Sequence, residues 1–253
     1  MMELGVGLIR IGREWGHVKQ DVPTEGEALS FLEHCFVSGI RFYDTAPSYG
    51  SSETRTGRFL RSLTAAERDR ITVATKFGEH WDDRRNQPFV DHSFDALQRS
   101  IDQSVARLGR VDVLQLHKTA PAVLASSDLG RAWEYARSAG IGRFGPSVSD
   151  LASAGIAIAD PSYSCLQLPL SVVDTRFEDT ARRASGRGMA VYSNRPFAMG
   201  AMLYGEAAVD RVDAFAYLLG LQLEGVVLTG TGSIAHLDEN LAAFREARER
   251  CRR

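Results

Sequence analysis

The chain has 253 residues, 44% of them hydrophobic and 25% charged, with a formal net charge of -2 at pH 7. This length suits one α/β barrel as readily as two small domains, and no Pro/Gly/Ser-rich linker divides it, so it reads as a single domain over residues 1–253. The charge balance excludes a polyanion-binding stripe, and no nucleic-acid partner is expected, because even the basic end from Arg248 to Arg253 is interrupted by Glu249 and Cys251.

Met1 to Gly5 carries neither the basic region nor the apolar core of a signal peptide. The longest apolar runs, such as Ala214 to Leu221, are too short to cross a bilayer, so the expectation is a cytoplasmic protein with no membrane partner. Gly5 to Gly12 has the wrong spacing for a G-x-G-x-x-G dinucleotide loop, and Arg13-Glu14 replaces the Lys-Ser/Thr of a phosphate loop. It reads as a first strand whose glycines let the backbone pack closely. Helix one opens at Thr24, with Glu27 completing a capping box, buries Ala28, Leu29, Leu32, Cys35 and Phe36, and stops at Gly39. Strand two, Ile40 to Tyr43, is followed by a helical stretch from Ser52 to Leu63 and strand three, Ile71 to Lys76. Glu79 to His92 is polar and turn-rich and reads as a surface loop, although it carries Trp81. Phe94 to Leu108 has Leu97, Ile101 and Val105 at helical spacing, and Val111 to His117 is strand four.

A helix around Leu129 to Ser138, stopped by Gly140, leads to strand five, Ile141 to Val148. The alternation continues with helical Leu151 to Ala159, strand six at Cys165 to Leu170, a helix from Phe177 to Ser185 and strand seven at Met189 to Ser193. A helix from Ala208 to Leu219, strand eight at Val226 to Thr229 and a last helix from His236 to Glu249 complete it. Strict alternation implies right-handed crossovers and a parallel sheet, and eight such units favour closure into a (β/α)8 TIM barrel. The C-terminal strand ends then form the active face. Asp44, Lys76, His117, Ser147, Gln167, Tyr192 and Thr229 lie on it or near it. Cys35, Cys165 and Cys251 are widely spaced and read as reduced thiols. The histidines show no H-E-x-x-H or paired spacing, so no metal site is expected.

The stretch Phe42-Tyr43-Asp44-Thr45-Ala46-Pro47-Ser48-Tyr49-Gly50 reads as a buried strand ending in a functional loop. A phenol is a poor acid at neutral pH, so a Tyr used for proton transfer needs a nearby cation and a carboxylate to hold that cation. Asp44, Tyr49, Lys76 and His117 arrive in order on three consecutive strand ends. Each has a bland alternative, as cap, loop aromatic, solvated strand end or core-edge histidine; the joint placement favours a shared site.

This order and wording resembles the aldo-keto reductase family. The resemblance is carried by Asp44-Thr45-Ala46-Pro47-Ser48-Tyr49-Gly50-Ser51-Ser52-Glu53, Ala74-Thr75-Lys76-Phe77-Gly78 and Asp112-Val113-Leu114-Gln115-Leu116-His117. It implies a nicotinamide-dependent oxidoreductase acting on a small-molecule carbonyl or alcohol. Tyr49 would donate the proton, Lys76 would lower the Tyr49 pKa, Asp44 would hold Lys76, and His117 would orient the carbonyl. It also places Ser147 and Gln167 at the nicotinamide carboxamide, Tyr192 beneath the nicotinamide ring, and Ser193 among the cofactor contacts. Val148 stands where many members have asparagine.

Gly230-Thr231-Gly232-Ser233 could seat a phosphate on backbone N–H groups, or be a plain turn. In the resemblance Gly230 and His236 take the positions where NADPH-preferring members carry cations, while Glu239 and Asn240 match adenine contacts. NADP(H) is expected first, and NAD(H) is not excluded. A barrel lyase or isomerase using the same tetrad, and a cofactor-sensing regulatory subunit, are the alternative readings. The chain ends soon after its last helical pattern and the connection after Ser193 is short, so the expectation is an open face that admits a bulky substrate or is completed by a second subunit. Substrate, direction and oligomeric state are not set by the sequence.

Overall fold

The computed structural model describes residues 2–16, 21–203 and 208–252. Strand β1 (Met2–Gly7) runs into a 3-10 turn (Ile9–Ile11), then α1 (Glu25–Val37), β2 (Phe42–Asp44), α2 (Ser52–Ser62), the short α3 (Ala65–Arg68) and β3 (Thr72–Phe77). A hairpin of β4 (Glu79–Asp82) and β5 (Gln87–Val90) precedes α4 (Phe94–Leu108), β6 (Val113–Leu116), one-turn α5 (Pro121–Leu124) and α6 (Ser127–Ser138). There follow β7 (Phe144–Pro146), α7 (Leu151–Ala159), β8 (Cys165–Pro169), α8 (Glu178–Gly186) and β9 (Ala190–Asn194). A 3-10 segment (Ala198–Leu203), α9 (Arg211–Gly220), β10 (Gly225–Gly230) and α10 (Ile234–Arg250) end the described chain.

Eight strands form one parallel sheet in the order β7-β6-β3-β2-β1-β10-β9-β8. The seam between β7 and β8 is closed by a parallel bridge from Ser147 to Gln167, and the Val148 N–H donates to the Gln167 carbonyl at 2.8 Å. The sheet is therefore a (β/α)8 barrel. Gly145 sits on this seam because any Cβ there would strike the Cys165 carbonyl. Among the described residues no helix is long and apolar enough to cross a membrane.

Inward and outward side chains alternate along each strand, as the two-residue period of a strand requires. Phe42, Ala74, Val113, Cys165, Tyr192, Val226 and Leu228 fill the barrel interior, while a larger cluster including Phe31, Leu97, Trp133 and Phe215 packs between barrel and helices. The filled interior leaves the chemistry only the strand ends. Capping at α1 is as the sequence implies: Thr24 and Glu27 form the reciprocal box.

Two segments are built differently from expectation. Strand one begins at Met2 and ends at Gly7, and the remainder of the glycine-bracketed stretch is the 3-10 turn. Gly12 ends that turn against the Tyr49 carbonyl, where a Cβ would collide, so the close-packing role read for these glycines holds there. The segment read as a surface loop from Glu79 to His92 contains the β4–β5 hairpin, paired Glu79 to Val90 and Asp82 to Gln87. Its polarity hid it because β5 is solvent-exposed throughout; the turn is closed by the Asp82 carboxylate, which accepts from the Arg84 and Arg85 N–H groups at 2.9 and 3.1 Å.

Cys35 and Cys165 are buried free thiols and Cys251 an exposed one. Burial pushes the Cys165 thiol up to about 12, which leaves it an inert part of the barrel core.

Candidate active site

The strand period that fills the barrel interior also delivers the site. Phe42 and Ala74 point inward low in the barrel, so Asp44 and Lys76, two residues on, point inward at the top. Lys76 Nζ donates to Asp44 Oδ2 at 2.6 Å and to the Thr45 carbonyl at 3.0 Å, and both side chains are buried. The other Asp44 oxygen accepts from Gln115 Nε2 at 2.8 Å and from Gln167 Nε2 at 3.2 Å, and Ser147 Oγ donates to Gln167 Oε1 at 2.8 Å. An ion pair this deep is tolerable only when its remaining lone pairs and protons are bonded, and these contacts bond them.

Tyr49, held over this pair by the turn after β2, has its ring centroid 4.9 Å from Lys76 Nζ and 6.0 Å from the His117 ring centroid, edge to face. Burial raises the Tyr49 pKa; Lys76 pulls it down and Asp44 pushes it up again, and the net direction is upward. The expected downward pull of Lys76 on the Tyr49 pKa is present, but it does not set the net direction. Desolvation is the largest contribution, and Asp44 adds to it against the pull of the lysine. Burial pushes Lys76 down, Asp44 and Tyr49 push it up more, and Lys76 stays protonated. His117 is driven well below 6.5, first by burial and then by Lys76, Lys118, Arg13 and His92. Its ring is neutral at pH 7.

Asp44, Tyr49, His117, Ser147, Gln167, Gly230, Thr231, His236 and Asn240 line one cavity of about 310 Å³, with Lys76 beneath its floor. Four expected cofactor contacts do not line it. Tyr192 lies one layer too deep: its ring packs on Phe42 at 4.7 Å inside the barrel, and Asn194, two residues on, takes the level at the cavity. Ser193 alternates to the outer side, where its hydroxyl donates to the Leu170 carbonyl at 3.2 Å. Gly232 packs toward Arg10, and Glu239 is ion-paired with Arg211 at 2.8 Å.

Several groups at or beneath the cavity escaped the sequence reading. Gln115 shares the inward parity of His117 and was open to detection on period alone. Glu79 had no such signal: positive φ at Gly78 (97°) breaks the alternation and swings Glu79 toward His117, whose Nδ1 lies 3.0 Å from Glu79 Oε2. Arg13 is ringed by Trp15, Tyr49 and Trp81, with its guanidinium carbon 5.4, 5.9 and 5.5 Å from their ring centroids. Arg211 brings from α9 a cation missing at positions 230 and 236. The connection after Ser193 lines the cavity through Phe197 and Leu203, and its residues 204–207 lie outside those described, so the expected open face is not decided.

The sequence profile of the Aldo/keto reductase family matches residues 3–213. D-threo-aldose 1-dehydrogenase of Pseudomonas sp is 32% identical over 187 residues, 62% of this chain and 54% of that one. L-galactose dehydrogenase of Arabidopsis thaliana is 35% identical over 118 residues, 45% of this chain and 33% of that one. The match thus spans between a third and about half of the length of these curated relatives. A putative aldo-keto reductase structure from Pseudomonas aeruginosa superposes with a TM-score of 0.81 at 23% identity, over 96% of this chain and 89% of that one. An aldo/keto reductase from Klebsiella pneumoniae, solved with NADP and acetate, gives 0.71 at 20% identity over 95% and 85%. These two likenesses confirm the barrel. With the profile match covering most of its length, the chain belongs to the aldo/keto reductase family.

Proposed function

We propose that the protein interconverts a small-molecule carbonyl and its alcohol with NADP(H), Tyr49 serving as the proton donor in reduction. The observation that carries this reading is the buried Asp44–Lys76 pair directly beneath Tyr49, at the floor of a cavity that His117 also lines. The raised Tyr49 pKa keeps the phenol protonated at pH 7, and Lys76, held by Asp44, stabilises the phenolate as the proton leaves. Neutral His117 and Tyr49 fix the ligand oxygen between them.

The cavity fits a dinucleotide. Arg10, Arg13, Lys118, Arg195 and Arg211 line it against Asp44 and Glu79, a cationic excess that suits phosphates, and Arg211 Nε and Asn194 Oδ1 are buried there without hydrogen-bond partners. Ser147 and Gln167 stand ready for an amide, and Arg211 for a phosphate next to Thr231 and His236. When bound, the nicotinamide supplies or accepts the hydride; the chain supplies position and protons.

The experiment is a titration with NADPH and with NADH followed by tryptophan fluorescence, since Trp15 lines the cavity. Saturable quenching by NADPH is expected. Binding of neither nucleotide would sink the proposal.

A further inference from the structure

Most of the cations that line the cavity are accounted for by their surroundings. Lys118 is paired with Glu79 at 3.2 Å, Arg211 is paired with Glu239 at 2.8 Å, Arg10 donates to the Trp15 carbonyl, and Arg195 is exposed. Arg13 is held differently. Its guanidinium carbon lies 5.4, 5.9 and 5.5 Å from the ring centroids of Trp15, Tyr49 and Trp81, and no hydrogen bond or ion pair ties the group to a described residue. Its Nε is buried without a partner. The rings attract the charge through their π faces but leave the N–H donors of the fork unmet, and a buried donor with no acceptor is costly until a ligand supplies one.

The neighbouring charges do not compensate it. Asp44 is taken by Lys76, and Glu79, the carboxylate near enough to act on Arg13, is taken by Lys118. His117 is neutral. Burial lowers the Arg13 pKa by more than Glu79 and Tyr49 raise it, as expected of a cation short of partners, yet an arginine keeps its charge. The surroundings of Arg13 also set it apart from the nucleotide end of the cavity. Its three rings come from the loop after β1, the turn after β2 and the hairpin after β3, whereas Arg211, Thr231, His236 and Asn240 enter from α9, the turn after β10 and α10. In the sheet, β2 and β3 lie on one side of β1, and β10 and β9 on the other.

We propose that Arg13 determines substrate class, taking the carboxylate of a short oxo acid, or of the matching hydroxy acid in the reverse direction, while the reacting oxygen meets Tyr49 and His117. This rests on the proposed function and narrows it. A guanidinium and a carboxylate pair fork to fork, and the 5.9 Å between Arg13 and the Tyr49 ring lets one short molecule reach both groups. The single uncompensated charge suits a monoanion better than a phosphate dianion. In reduction the carbonyl carbon accepts the hydride and its oxygen the Tyr49 proton, giving the hydroxy acid with its carboxylate unchanged. A neutral ligand of the same shape would cover Arg13 and leave its donors unmet.

The test compares pyruvate and levulinate with their methyl esters, which keep the ketone and lose the charge. Binding is read by calorimetry on the full chain without nucleotide, and turnover with NADPH is read as kcat/KM. Wild type is expected to prefer at least one acid over its ester in both readings. Arg13→Gln should cut that preference roughly 10–100-fold, the loss of a charged hydrogen bond, and Arg13→Lys, which keeps the charge but not the fork, should cut it less. The NADPH dissociation constant should move far less than that of the acid. Equal binding of acid and ester by wild type overturns the proposal without any variant. A preference that survives Arg13→Gln also overturns it, as does a loss of NADPH affinity in that variant equal to the loss for the acid, since Arg13 then serves the dinucleotide. If the acids bind through Arg13 but no ketone is turned over, the proposed reaction fails and this inference stands; if esters are turned over as well as acids, the reaction stands and this inference fails.

Discussion

At the scale of the residue, one buried ion pair organises the site. Removing the Lys76 ammonium leaves Asp44 charged, buried and facing only two amides, so Lys76→Met is expected to cost about 3–5 kcal/mol in urea unfolding. A cost within the range of a surface substitution would show that the pair is solvated in solution. Tyr49→Phe leaves that pair intact and is expected to lower reductase turnover about 10²–10⁴-fold while NADPH affinity stays nearly constant, because the phenol acts on the transferred proton. Near-normal turnover in that variant would remove Tyr49 from the mechanism. The sign of the Tyr49 shift adds a pH criterion. The phenol is held above its ordinary value of 10.0, so reduction should keep its proton donor throughout the neutral range and lose it only in more alkaline solution.

Secondary-structure elements decide which atoms reach the cavity. The turn before α10 offers Thr231 and Ser233 but no lysine or arginine, and a cation enters the cavity instead from the first residue of α9, Arg211, tied across to Glu239 on α10 at 2.8 Å. An arginine stays charged over the whole working pH range, so the preference for NADPH over NADH is expected to be independent of pH between 6 and 8, unlike the preference a lone His236 would give. Arg211→Ala should weaken NADPH binding about tenfold or more and NADH binding much less, as loss of a charged hydrogen bond implies. Dissociation constants for both nucleotides would check this, and equal weakening would place Arg211 away from the extra phosphate. The β4–β5 hairpin is another element that reaches the cavity, because its first residue is Glu79 and its third, Trp81, packs on Arg13.

For the whole molecule, barrel closure links site and stability. The seam that completes the barrel, Ser147 to Gln167, is made by two residues that also bond each other's side chains, and Gln167 reaches Asp44, so the strand pair that closes the barrel also completes the polar floor. The depressed His117 pKa gives this linkage a measurable sign. Its folded value lies below its unfolded one, so the unfolded chain takes up the proton first, and stability is lost as pH falls below the ordinary histidine value of 6.5. Urea midpoints between pH 5 and 7 should therefore decline in acid less steeply for His117→Gln than for wild type. Identical slopes would mean that His117 titrates alike in both states.

What the sequence by itself determined was the alternation of strands and helices, and with it the barrel, the polarity of its two ends and the shared location of Asp44, Tyr49, Lys76 and His117. Those follow from local periods, and each strand carries its own. Inward parity on β9 was equally local, and applying it would have placed Asn194 rather than Tyr192 at the cavity. Tertiary structure alone decided the rest. The neutral state of His117 and the raised Tyr49 pKa come from burial by residues far apart in the chain, and desolvation has no sequence period. Glu79 reaches His117 only because Gly78 adopts a positive φ that interrupts the strand, and Arg211 meets the site from a helix whose packing no motif records.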